Sequence, residues 1–162
     1  MGGTQDPQYH WPDLLDAATR GEWVDWWPKG PVMESLHLPA GVTSWERGVA
    51  RGKWPIDRSF FHSAGALFGG FLGVLADLAT TWAMFSVLED AEFFNTSDLR
   101  ISFFRPVTEG MVLFEARVVH RGRRIAFVEA SFSDASERLL AKAAATEVII
   151  PMPDREVTRA NS

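Results

Sequence analysis

Residues 68–88 read FGGFLGVLADLATTWAMFSVL. Glycine, apolar and hydroxyl side chains fill the stretch, with one charge, Asp77, near its middle. An apolar run of about 20 residues is either a membrane span or a helix buried in a core. A charge at mid-bilayer costs roughly 2.5–3.5 kcal/mol. Three glycines, two threonines and a serine weaken the membrane reading further, and strand-like segments follow directly. The stretch therefore reads as the central helix of a globular domain, over about Gly70 to Leu88. Asp77 then needs a reason, because a carboxylate among apolar side chains is costly unless something uses it.

The sequence downstream is strand-like. Thr96 to Phe104 (TSDLRISFF) ends at Pro106, a residue that does not continue a central strand. Met111 to His120 (MVLFEARVVH) and Ile125 to Ser133 (IAFVEASFS) flank Arg121-Gly122-Arg123-Arg124, a hairpin signal. Leu139 to Ile150 (LLAKAAATEVII) is ambiguous. Its alanines favour helix, while the short turn before it and its VII ending favour a third antiparallel strand. The order of elements is one long helix followed by an antiparallel meander. A sheet wrapped around that helix would bury it on nearly every side, an α+β arrangement.

Upstream, Val42 to Ile56 holds one or two short strands, and residues 59–68 form a loop hinged at Gly65. Residues 1–41 read as an N-terminal extension. It has a short helix after Pro12-Asp13 and a tryptophan-rich segment with Trp23, Trp26 and Trp27. Residues 42–150 form the domain, and 151–162 a polar tail opened by Pro151 and Pro153.

Composition narrows the function. The chain has 162 residues, a net charge of −5 and no cysteine. The acidic balance argues against a nucleic-acid partner, since phosphate binding leans on basic excess. Disulfides, thiolate metal sites and thiol nucleophiles are excluded. His10, His37, His62 and His120 are scattered, so no metal-spaced cluster is present. The N-terminus lacks a basic region followed by an apolar core, and a cytoplasmic location is expected. Phe61-His62-Ser63-Ala64-Gly65 falls one glycine short of a nucleophile elbow and lacks its strand-turn-helix setting.

The segments FGGFLGVLAD, TSDLRISFFRPV, EARVVHRGRRIAFVEASFSD and LLAKAAATEVI, in this order, resemble the hotdog-fold acyl-CoA thioesterases, and most closely the phenylacetate-pathway (PaaI-like) subfamily. The likeness covers about residues 42–150. It implies a hotdog fold, one long helix wrapped by a curved antiparallel sheet. It also implies cofactor-free hydrolysis of acyl-CoA thioesters by a homodimer or homotetramer. The family's Leu-Ala-Asp matches Leu75, Ala76 and Asp77. Its Gly pair matches Gly69 and Gly70, and its Ser/Thr position falls on Thr96. Two positions depart from the pattern: His62 stands where the family has Asn, and Phe68 where it has His.

Backbone N–H groups at a helix start are free and sit at the positive end of the helix dipole. Gly69 and Gly70 leave them accessible, and the Gly70 N–H is the expected donor to the thioester carbonyl. Asp77 is the expected general base or nucleophile. From residue type alone it is equally well a buried carboxylate bonded to backbone or hydroxyl groups. Thr96 would hold the attacking water or orient Asp77. Asp77 lies roughly 10–12 Å along the helix from the glycines, too far for one subunit to bring both easily to one carbonyl carbon; the resemblance implies a site split between two subunits. His62 would donate in place of the Asn amide. Phe68 would narrow the site or select an aromatic or fatty acyl group. Gly122, Arg123 and Arg124 resemble the family loop that meets the nucleotide end of coenzyme A, and arginine suits its phosphates. An alternative keeps the fold without the reaction: a hotdog protein that binds acyl thioesters or another apolar ligand without hydrolysing them.

Overall fold

The computed structural model describes residues 10–24 and 29–152. Trp26, Trp27 and residues 153–162 of the polar tail lie outside the described residues. In chain order the elements are α1 (Trp11–Thr19), α2 (Pro31–Ser35), β1 (Val42–Glu46), β2 (Val49–Pro55), α3 (Gly69–Phe85), β3 (Glu92–Phe103), β4 (Met111–Arg121), β5 (Ile125–Ser133) and β6 (Leu139–Pro151). A 3₁₀ turn at Arg58–Phe60 precedes α3. The six strands form one antiparallel sheet in the order β1-β2-β4-β5-β6-β3, so β3 is an edge strand.

The long apolar stretch forms the expected helix, shifted by one to three residues at each end. α3 packs against β2, β4, β5 and β6. The sheet makes room for it with small side chains. Ala50 pairs with Ala116, Ala116 with Ala130, and Ala130 with Ala143. All four are buried, and together they run as a trough across four strands. This resolves the ambiguity of 139–150. Its alanines serve the sheet's inner face rather than a helix, and the segment is β6.

Burial of α3 is less complete than the apolar sequence suggests. Phe71, Leu72, Leu75, Ala76, Ala79 and Ala83 are buried against the sheet. Gly70, Gly73, Val74, Asp77, Leu78 and Thr81 recur at helical spacing and stay exposed or half-buried. A single copy of the chain leaves this stripe open, and Asp77 lies on it. The carboxylate that looked expensive in sequence is solvated here.

The N-terminal segment joins the core. α1 packs on β1 and α3, and Trp11, Leu14 and Leu15 are fully buried. The Trp11 ring stacks on Phe85 at 4.6 Å. Gly41 adopts φ 78°, and a Cβ there would strike the Trp54 indole. No described helix is long and apolar enough to cross a membrane.

Candidate active site

Asp77 sits midway along α3 on the open stripe. Thr96, on β3, donates from Oγ1 to Asp77 Oδ1 at 3.0 Å. A β-bulge aims this threonine. Thr96 pairs with Glu147 and Asp98 with Thr146, which leaves Ser97 extra. Ser97 Oγ donates to the Thr146 carbonyl at 3.0 Å. Phe94 and Thr96 face inward before the bulge, Leu99 and Ile101 after it. Without the extra residue, strand alternation would turn one of these pairs outward.

Asp77 and Thr96 lie on the wall of a cleft of about 430 Å³. Its apolar lining comes from Trp23, Met33, Leu78, Trp82, Phe85 and Phe93. Trp23 and Met33 belong to the N-terminal segment, and the Trp23 ring lies 5.9 Å from that of Trp82. Thr81, one turn beyond Asp77, adds a second hydroxyl to the wall. A cleft with aromatic walls and a carboxylate at its rim suits a ligand with an apolar body and a polar reacting end.

The start of α3 forms a separate place. Phe68 is the N-cap, offers no side-chain cap and is 61% exposed. The Phe71 and Leu72 N–H groups bond the Phe68 carbonyl at 2.9 and 3.3 Å. Among the described residues nothing accepts from the Gly69 or Gly70 N–H, as expected for the first turn. A Cβ on Gly70 would come within 2.8 Å of the Phe68 ring. His62, Gly69, Leu72, Phe103 and Arg105 line a second cleft of about 360 Å³. His62 Nδ1 accepts from the Ala64 N–H at 3.1 Å. In the neutral ring that leaves the proton on Nε2, available as a donor.

The predicted residues thus fall into three groups. Asp77 and Thr96 meet in the first cleft, while His62 and Gly69 share the second. Gly70 is beside them at the helix start, seven residues and roughly 10 Å along the axis from Asp77. Gly122, Arg123 and Arg124 form the β4–β5 turn, where the Gly122 N–H bonds the Ile125 carbonyl at 2.8 Å. Arg123 and Arg124 are exposed and line neither cleft.

Sequence reasoning missed Glu147. It is fully buried on the inner face of β6, directly opposite Thr96. Burial raises its pKa to about 7; the neighbouring Asp77 charge adds to the rise, and the hydroxyls of Thr96 and Thr80 oppose it. The signal was available. Once 139–150 is read as a strand, Ala143, Ala145, Glu147 and Ile149 share one face by alternation.

The thioesterase superfamily profile matches residues 64–141, from the loop before α3 to the start of β6. A presumptive esterase of Saccharolobus solfataricus is 32% identical over 104 residues, which cover 64% of this chain and 69% of that protein. The proofreading thioesterase EntH of Klebsiella pneumoniae is 30% identical over 88 residues, or 54% of this chain and 64% of EntH. Among solved structures, a phenylacetic acid degradation-related protein of Ralstonia eutropha JMP134 superposes with a TM-score of 0.71 at 27% identity. The match covers 83% of this chain and 98% of that one. On the sheet order, the central helix and these matches, the chain belongs to the thioesterase superfamily and has its hotdog fold.

Proposed function

We propose that this protein hydrolyses an acyl-CoA thioester with a bulky apolar acyl group, in the cytoplasm, as a homodimer or homotetramer. Thioester hydrolysis is the chemistry of its superfamily. The observation that carries the finer reading is the Thr96–Asp77 hydrogen bond, 3.0 Å long, on the wall of an aromatic-lined cleft. In this reading the acyl group occupies that cleft. Asp77 takes a proton from water, and the hydroxide adds to the thioester carbonyl carbon. The Gly70 N–H of a second copy holds the oxyanion. The C–S bond then breaks, the thiolate leaves with the proton from Asp77, and free acid and coenzyme A result. Arg123 and Arg124 supply exposed guanidinium groups suited to the phosphates of coenzyme A.

Assembly of two copies is supported by three surfaces that one copy leaves open. They are the outer edge of β3, the stripe on α3, and the exposed rings of Phe68 and Phe103. The test is turnover of a panel of aromatic and aliphatic acyl-CoA esters, with Asp77→Asn as control. Rates are expected to fall roughly 10²–10⁴-fold in the variant. An inactive wild type, or a variant at full rate, sinks the proposal. A second reading rests on Phe68, an exposed ring without a donor at the helix start. It has the protein bind acyl thioesters without hydrolysing them, and tight binding of a panel member without turnover would favour it.

A further inference from the structure

Glu147 is an acid in an apolar place. Its neighbours on the inner face of β6 are Ala143, Ala145 and Ile149, and it is 0% exposed. Neither carboxyl oxygen has a hydrogen-bond partner of good geometry, although the Thr96 and Thr80 hydroxyls lie close enough to favour its charged form. α3 brings Asp77 and Thr80 toward it, β3 brings Thr96, and β5 brings its register partner Ala126. Among the described residues, Asp77 is the one charged group that acts on it. A carboxylate is costly there; a neutral acid is much less so.

The hydroxyl protons nearby are already committed. Thr96 donates to Asp77 Oδ1 at 3.0 Å, and Thr80 donates to the Asp77 backbone carbonyl at 3.1 Å. Each hydroxyl has a single proton and keeps lone pairs free. An ionised Glu147 only accepts, and finds no proton to accept without breaking one of these bonds. A protonated Glu147 has an O–H to give, and Thr96 Oγ1 can take it.

We infer that Glu147 is a positioning residue: in its neutral form it donates to Thr96 Oγ1, which fixes the threonine proton on Asp77. The chain Glu147–Thr96–Asp77 then points every donor toward the reacting carboxylate. Ionisation of Glu147 reverses the arrangement, because it competes for the Thr96 proton and repels Asp77. The group titrates at about 7, so the reaction is expected to weaken as pH rises through that value. The inference rests on the thioesterase reading of Asp77, and its test has an arm that does not need turnover.

Three variants and two readouts test it. Glu147→Gln keeps a donor and cannot ionise. At about pH 6 it is expected within about threefold of wild-type kcat, and its kcat/KM profile is expected to lack the limb near pH 7. Glu147→Leu fills the space without a donor. It is expected to lose about tenfold or more in kcat, with KM nearly unchanged. A limb that persists in Glu147→Gln overturns the inference. So does full kcat in Glu147→Leu. Infrared spectroscopy reads the acid directly. Wild type at about pH 6 is expected to show a protonated-carboxyl band that is absent in Glu147→Gln and moves in Thr96→Val. Lack of the band, or a band indifferent to Thr96→Val, overturns the inference even if no acyl-CoA is turned over. A band with the expected behaviour and no turnover on the panel would instead count against the thioesterase reading alone.

Discussion

Thr96 stands opposite Glu147 in the β3–β6 register while its hydroxyl reaches across to Asp77 on α3. One side chain therefore joins the sheet, the helix and the candidate reacting group. Thr96→Val keeps the shape and removes the hydroxyl. A hydrogen bond to a charged group is worth about 1.5–3 kcal/mol, so kcat is expected to drop roughly 10–100-fold. Thermal unfolding is expected to shift by about 1–3 kcal/mol: water replaces the donor to exposed Asp77, but buried Glu147 loses its acceptor. A variant at wild-type rate would remove Thr96 from the mechanism.

A split site has a signature in mixed assemblies. Gly70→Pro deletes the proposed oxyanion donor; its missing N–H belongs to the first helical turn, which has no internal bonds to lose, and its Cβ displaces only the exposed Phe68 ring. Alone it is expected to lose about 10²–10³-fold in kcat. Asp77→Asn is expected to fall roughly 10²–10⁴-fold. Unfolded and refolded together, the two should regain activity, because a mixed dimer has one site with both groups intact. Failure to regain activity in assemblies proven to be mixed would place both groups in one chain.

Stability should carry the mark of Glu147 too. Its ordinary value is 4.5 and its folded value is about 7, so the folded state holds the proton more tightly than the unfolded chain. The associated stability is fully present below about pH 4.5 and is lost as pH rises through about 7. The change corresponds to on the order of 3 kcal/mol. Glu147→Gln lacks this dependence. Denaturant unfolding of both proteins at several pH values checks it: the variant's advantage should grow from about pH 4.5 to 8. A constant difference would mean that the acid is not held neutral.

The alanine trough makes a packing prediction. Ala116 and Ala130 are buried on the strands that pack against α3. Ala116→Leu or Ala130→Leu is expected to cost about 1–3 kcal/mol by overpacking, although both changes add apolar surface. The same substitution at exposed Ala144, next to the trough on the outer face of β6, should be near neutral. Equal effects at the three positions would refute the trough.

These elements were unequally legible in the sequence. An apolar run with glycines at its start and one acid at its centre is a distinctive pattern, and α3 followed from it. The β4–β5 hairpin was legible because alternation and turn chemistry agree there. β6 was not, because alanine is the strongest helix former and the trough demands it for a different reason. Glu147 stayed hidden behind that ambiguity, since its face depends on the strand assignment. β3 begins four residues earlier than read, at Glu92. The open stripe on α3 was illegible as well. Val74 and Leu78 look the same in sequence whether they face the protein's own sheet or its surface. The Asp77–Thr96 contact was expected from family spacing, but the bulge that aims it leaves no mark in composition.

That bulge makes the site depend on counting. Ser97 contributes one hydrogen bond to a carbonyl, and Ser97→Ala should cost no more than about 0.5–1.5 kcal/mol. Deleting the residue is a different event. It shifts the phase of the strand by one, so Thr96 turns from Asp77, or Leu99 and Ile101 turn from the core. At this position the chain can change its letter cheaply but cannot change its length.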